Sequence, residues 1–181
     1  WQRGGMPHFS IAVNLSANQL TDPSLADHVA EALRISGIDP AMLEFEITET
    51  AVMKNMVEAT ALLESLRARG VRLAIDDFGT GYSSLAYLKE LPVDVLKVDR
   101  AFVRHLPHSR DDLAITRAVI AMAHGLSMKV VAEGVEAQCQ FDSLRDEGCD
   151  VFQGFYCRPA MQSHDLEALL NRHGLVIPAQ T

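Results

Sequence analysis

The chain has 181 residues, 48% hydrophobic and 22% charged, which is enough for one sizeable core and fits a single domain over 1–181 better than two. A net charge of −8 and a pI of about 5.3 exclude sequence-independent binding to duplex nucleic acid, because attraction to phosphate needs a cationic face. No apolar run reaches the ~18 residues of a membrane span, and WQRGGMPHF has neither a charged n-region nor an apolar h-region, so the expectation is a cytoplasmic protein without a membrane segment.

Short apolar runs alternate with helical periodicity. Phe9 to Asn14 predicts a first strand. Asp22-Pro23 then opens a helix with Leu25, Val29 and Leu33 on one face, closing near Gly37. Leu43 to Ile47 predicts the second strand. Asn55, with Glu58 three residues on, resembles a capping box for a helix carrying Leu62, Leu63 and Leu66, and Gly70 supplies its stop. Val71 to Asp76 and Val93 to Val98 predict further strands, and Ser109 opens a helix ending near Gly125. Lys129 to Glu133, a helix from Glu136 to Glu147, Val151 to Gln153 and a helix from Ser163 to His173 complete the series. Cys139, Cys149 and Cys157 lack close metal-type spacing and read as reduced thiols.

No hairpin signal interrupts the alternation, so the strands are parallel and joined by helices. A doubly wound sheet and a (β/α)8 barrel both fit that pattern. The strand ends favour the barrel: they read Asn14, Glu46, Asp76-Asp77, Lys97-Asp99, Glu133 and Gln153. A barrel gathers its C-terminal strand ends around one mouth, whereas an open sheet concentrates chemistry at a switch point. The expectation is an α/β, TIM-barrel-like fold. Asn14 to Gln153 spans five intervals of about 28 residues, which accounts for about six of eight β/α units and leaves the N-terminal strands missing. Side chains two apart in a strand share a face, so Glu44, Arg72 and Lys129 should point inward below the mouth. They predict a deeper charged layer in which Glu44 neutralises one of the two cations, unless Lys129 simply starts its strand in solvent.

Asn14, Glu46, Asp76, Asp77 and Glu133 are all oxygen donors, a set that suits Mg²⁺ or Mn²⁺ better than structural zinc. Consecutive strand residues face opposite ways, so Asp76 and Asp77 share a site only where the strand stops, and Gly79 and Gly81 supply that irregular backbone. Two acids there fit a two-metal site for in-line displacement at a phosphoryl group. Lys97, the one cation at the mouth, either orients or deprotonates an attacking water, or is a fixed counter-charge. Gln153 donates and accepts hydrogen bonds, which suits holding water or substrate. Glu49, Asp99 and Glu136 are equally consistent with residues that start loops or helices.

Six motifs occur in order: VNLSANQL, EITET, DDFGTGYSSL, LKVD, AEGVE and QG. From about Ile11 to Pro159 they closely resemble the EAL-domain family of cyclic-di-GMP phosphodiesterases. The resemblance implies hydrolysis of cyclic di-GMP to linear pGpG, in a barrel whose first strand runs antiparallel. It implies that Asn14, Glu46, Asp76 and Glu133 are metal ligands and that Asp77 serves the second metal. Lys97 resembles the residue that engages the nucleophilic water, and Gln153 one that lies near it. Glu136 resembles the glutamate that steadies the loop after Asp76, Phe78 to Leu85, which in this family is tied to dimerisation. A homodimer and fusion to regulatory or GGDEF-type domains are further expectations.

The family's namesake Glu-Ala-Leu motif lies on an early strand that does not occur among these residues. EALR at Glu31 to Arg34 and EALL at Glu167 to Leu170 sit inside helical patterns, and QGFYCRP is one residue shorter than the usual segment. A receptor or interaction module that binds cyclic di-GMP without cleaving it is therefore the alternative reading. Glycoside hydrolysis by Glu46 and Glu133 would leave Asn14, Asp76-Asp77 and Lys97 unexplained. An enolase-like lyase would use acids, metal and lysine, and is the stronger enzymatic rival.

Overall fold

The computed structural model describes residues 9–79 and 85–173. Six strands form one parallel sheet: β1 (Ile11–Leu15), β2 (Leu43–Thr48), β3 (Arg72–Phe78), β4 (Val95–Val98), β5 (Lys129–Ala132) and β6 (Val151–Phe152), each beside the next. The connections carry α1 (Leu25–Ser36), α2 (Glu49–Met53), α3 (Met56–Arg67), α4 (Leu85–Leu88), α5 (Arg100–Val103), α6 (Arg110–Gly125) and α7 (Gln138–Asp146), and α8 (Ser163–His173) follows β6. Strand order runs without reversal, as in the arc of a barrel and unlike a doubly wound sheet, whose order turns back at its switch point. Among the described residues, no helix is long and apolar enough to cross a membrane.

Local chemistry sets the helix ends. Asn55 Oδ1 accepts from the Glu58 N–H at 3.4 Å, and Ser109 Oγ from the Asp112 N–H at 3.2 Å. Asp22 does not cap α1 directly. It accepts from the backbone N–H and the hydroxyl of Ser24, and Ser24 takes the cap position. The sequence reading missed α2, α4 and α5, which are too short to show a helical period.

Alternation divides each strand into two faces. Phe45, Ile47, Leu73, Ile75, Leu96, Val98, Val130 and Ala132 form a buried layer with Leu62, Leu63 and Leu66 of α3, Ile120 and Ala123 of α6, and Leu144 of α7. Each fully buried leucine or isoleucine contributes about 1.5 to 3 kcal/mol, so this layer holds the helices to the sheet. The other face carries the predicted charged layer in part: Arg72 pairs with Glu44 at 3.3 Å, while Lys129 is exposed at the start of β5. Burial, opposed by Arg72, pushes the Glu44 carboxyl above its ordinary range.

Two aspartates pin the opposite end of the sheet. Asp94, just before β4, accepts from the Leu73 N–H at 3.1 Å, and Asp150, just before β6, accepts from the Val130 N–H at 2.7 Å. Asp150 Oδ2 also meets His124 Nε2 at 2.8 Å. Burial disfavours the Asp150 carboxylate, but His124 and the Val130 N–H outweigh it and hold the pKa below the usual aspartate range. The stabilisation is therefore complete above that range and disappears as pH falls through the lowered folded-state value. Asp150→Ala should destabilise the chain by about 1 to 3 kcal/mol, because the Val130 N–H loses its acceptor. Urea unfolding at neutral pH and in acid checks this: the variant's deficit should shrink in acid, and a deficit constant with pH contradicts the account.

Candidate functional site

Register brings the predicted strand-end residues to one face. Asn14 lies beside Glu46, Glu46 beside Ala74, Ala74 beside Val95, Lys97 beside Val131, and Val131 beside Val151. Stepping two residues along each strand puts Asp76, Glu133 and Gln153 on the side that carries Asn14, Glu46 and Lys97.

Lys97 is at the centre of this group. Its Nζ lies 2.6 Å from Glu133 Oε1, 2.8 Å from Glu46 Oε1 and 3.2 Å from Asp76 Oδ1, and its side chain is 4% exposed. Burial alone would favour the neutral amine, but hydrogen bonds to Glu133 and Glu46 outweigh it and raise the pKa. In this ion-free arrangement the three carboxylates hold Lys97 in its charged form, as a counter-charge.

The Asp76-Asp77 pair depends on a backbone irregularity within the strand. The expectation was that the strand stops at Asp76, yet β3 continues to Phe78, with a register shift against β4 between Ile75 and Phe78. Asp77 has φ 54°, and its N–H donates to Asp76 Oδ1 at 2.9 Å. This bulge lets two consecutive acids face one site. Gly81 lies outside the described residues. Burial and then the neighbouring Asp76 and Asp99 charges raise the Asp77 pKa, and burial raises that of Glu133 against the pull of Lys97.

Carboxylate oxygens of Asp76, Asp77 and Glu133 lie within 4.8 Å of one another. Three carboxylates, Glu46, Asp76 and Glu133, meet the single Lys97 ammonium and Asp77 adds a fourth negative charge beside them, so the excess negative charge calls for a cation. Hard divalent ions take oxygen ligands at roughly 2.0 to 2.6 Å, so the donor set and its spacing fit Mg²⁺ or Mn²⁺. Asn14 is exposed on β1 and lines a cleft of about 350 Å³ with Ser16, Gln19, Thr48 and Lys54. Gln153 is exposed just beyond β6, at the other side of the group.

Two further glutamates lie near the group, and Glu49 opens α2 as a helix start. Glu136 pairs with Arg100 at 2.9 Å, and most of the loop that it was expected to steady, 80–84, lies outside the described residues. The side chain that bonds the described part of the loop after Asp76 is Glu49, whose Oε2 accepts from the Gly79 N–H at 3.3 Å. Glu49 is 2% exposed, and burial together with this carboxylate pushes the Tyr87 phenol well above its ordinary range. The available signal was the second acid of EITET, three residues after Glu46, which had been read as an ordinary helix start.

A parallel β/α arc with acids and one buried lysine at its C-terminal strand ends is a barrel-type scaffold carrying a cation-attracting site. The EAL domain family matches residues 1–160, and the chain belongs to that family. It is 50% identical over 156 residues to the cyclic di-GMP phosphodiesterase NbdA of Pseudomonas aeruginosa, covering 86% of this chain and 20% of that protein. A structure of the MucR phosphodiesterase of that organism in complex with c-di-GMP superposes with TM-score 0.86 at 44% identity, covering 92% of this chain and 67% of that one. The Klebsiella pneumoniae BlrP1 manganese/cy-diGMP complex gives TM-score 0.77 at 36% identity, covering 82% and 38%. The chain spans about a fifth to a quarter of the length of the curated NbdA and MucR proteins.

Proposed function

We propose that this chain is a cyclic-di-GMP phosphodiesterase unit that hydrolyses its substrate to linear pGpG, with Asn14, Glu46, Asp76, Asp77 and Glu133 holding two Mg²⁺ or Mn²⁺ ions. The observation that carries this reading is the convergence of three carboxylates, Glu46, Asp76 and Glu133, on one buried ammonium, with Asp77 beside two of them. Bound divalent ions supply charge stabilisation at the phosphoryl oxygens and a more acidic water. In the reaction, water oxygen bonds to phosphorus, the phosphorus bond to a ribose 3′ oxygen breaks, that oxygen takes up one proton to become a hydroxyl, and the other proton of the water passes to the new terminal phosphate or to solvent. Lys97 would donate to the attacking water through an N–H released when a carboxylate turns to a bound ion, and Gln153 would orient that water. Support for the substrate comes from the relatives in complex with this nucleotide.

Incubation with cyclic di-GMP and Mg²⁺ or Mn²⁺ tests the reading. Release of pGpG, absent with a chelator, is expected. Tight binding without cleavage would make the chain a receptor for the nucleotide, and no binding would overturn the assignment.

A homodimer and attached GGDEF-type or other regulatory domains belong to the same reading, and MucR is itself named a bifunctional diguanylate cyclase/phosphodiesterase. Among the described residues β1 pairs on one side only, and Ile11 and Val13 are 42% and 40% exposed. Such an edge recruits another strand. Sedimentation should show self-association that rises with concentration; a concentration-independent monomer contradicts it.

A further inference from the structure

Two glycines flank the acidic group, and side chains from a single helix turn fill the space beside them. Gly79 follows Asp76-Asp77-Phe78 with φ 94°, and Gly134 follows Glu133 with φ 68°. A Cβ on Gly79 would lie 2.8 Å from Cε2 of Phe102; one on Gly134 would lie 2.7 Å from Cβ and 2.8 Å from Cδ of Arg100. Both side chains belong to α5, which follows β4, and β4 lies between β3 and β5. At 3.6 residues per turn, helix residues two apart point to nearly opposite sides, so one turn reaches both neighbouring strand ends.

Polar contacts tie the same turn to the β5 side. Arg100 pairs with Glu136 at 2.9 Å. Gln140, which is buried, accepts through Oε1 from the N–H groups of Glu136 and Ala137 and donates through Nε2 to the Arg104 carbonyl at 3.1 Å.

We propose that α5 is a brace shared by the two acidic strand ends, with Phe102 and Arg100 as positioning residues that fix Asp76 and Asp77 against Glu133. The consequence for cation affinity rests on the metal-site reading above, whereas the brace is a property of the ion-free protein. The Arg100 side chain is 59% exposed, so a purely structural role would leave little trace at its neighbours when it is truncated.

Hydrogen exchange of the metal-free chain tests the brace. Arg100→Ala should speed exchange across 132–137 roughly tenfold, and Phe102→Ala should do the same across 75–79, with β1 and β2 unchanged. Arg100→Met, which keeps an unbranched stem over Gly134, should restore protection. Mn²⁺ affinity by calorimetry should fall about tenfold in each alanine variant and return in Arg100→Met. If Phe102→Ala fails to fold, Arg100→Ala and Phe102→Leu carry the test. Unchanged exchange at both strand ends, or faster exchange spread evenly over the sheet, overturns the proposal. If the wild-type chain takes up no Mn²⁺, the metal-site reading fails and exchange alone decides the brace.

Discussion

Lys97→Met should lower the stability of the metal-free chain by about 3 to 5 kcal/mol, because removing one partner of a buried ion cluster strands the others. Glu46, Asp76 and Glu133 would then face one another without the ammonium that each contacts within 3.2 Å. The sign of the pH dependence follows from the carboxyls. Burial already raises the Glu133 pKa in the folded chain, and losing Lys97 raises it further. A carboxyl with a raised folded-state pKa favours the fold while protonated, and that contribution is lost as pH rises through the folded value. The deficit of Lys97→Met should therefore be largest at neutral and alkaline pH and shrink in mild acid. Chelator-treated protein unfolded in urea across that range gives the measurement. A deficit below about 1 kcal/mol at neutral pH would mean that the cluster behaves as an exposed ion pair, contrary to its burial.

Asp76→Asn should separate stability from cation uptake. An asparagine Oδ1 can still accept from the Asp77 N–H and from Lys97, so the fold keeps the contacts that Asp76 Oδ1 makes at 2.9 and 3.2 Å. The substitution also relieves like-charge repulsion, so stability should stay level or rise. Mn²⁺ affinity should fall by more than about a hundredfold, since loss of a ligand exceeds the 10- to 100-fold effect of an outer partner. Release of pGpG should fall with it. Unchanged Mn²⁺ affinity in a folded Asp76→Asn chain would remove Asp76 from the site.

Much of this was legible in the chain because barrel chemistry sits where strands end. The six strands, the caps at Asn55 and Ser109 and the shared face of Glu46, Asp76, Lys97 and Glu133 all follow from alternation and turn chemistry. Glu44 and Arg72 meet as parity predicted, while Lys129 stays exposed because it begins its strand. The remainder depended on three-dimensional neighbours. The bulge at Asp77 leaves no periodic trace: the irregular backbone expected at Gly79 is there, with φ 94°, but it begins two residues earlier, at φ 54° of the aspartate itself. Glu49 resembled a surface helix start, and only packing shows it buried against the Gly79 amide. The turn α5 is four residues long, too short for any pattern, yet it touches both sides of the site.

The most direct test of the central claim is a Mn²⁺ titration of this chain by calorimetry at neutral pH. The account predicts saturable uptake that is lost in Asp76→Asn and in Glu133→Gln, and that weakens on mild acidification because Asp77 and Glu133 hold protons at higher pH than ordinary acids. No saturable uptake, or uptake indifferent to both substitutions, would contradict it.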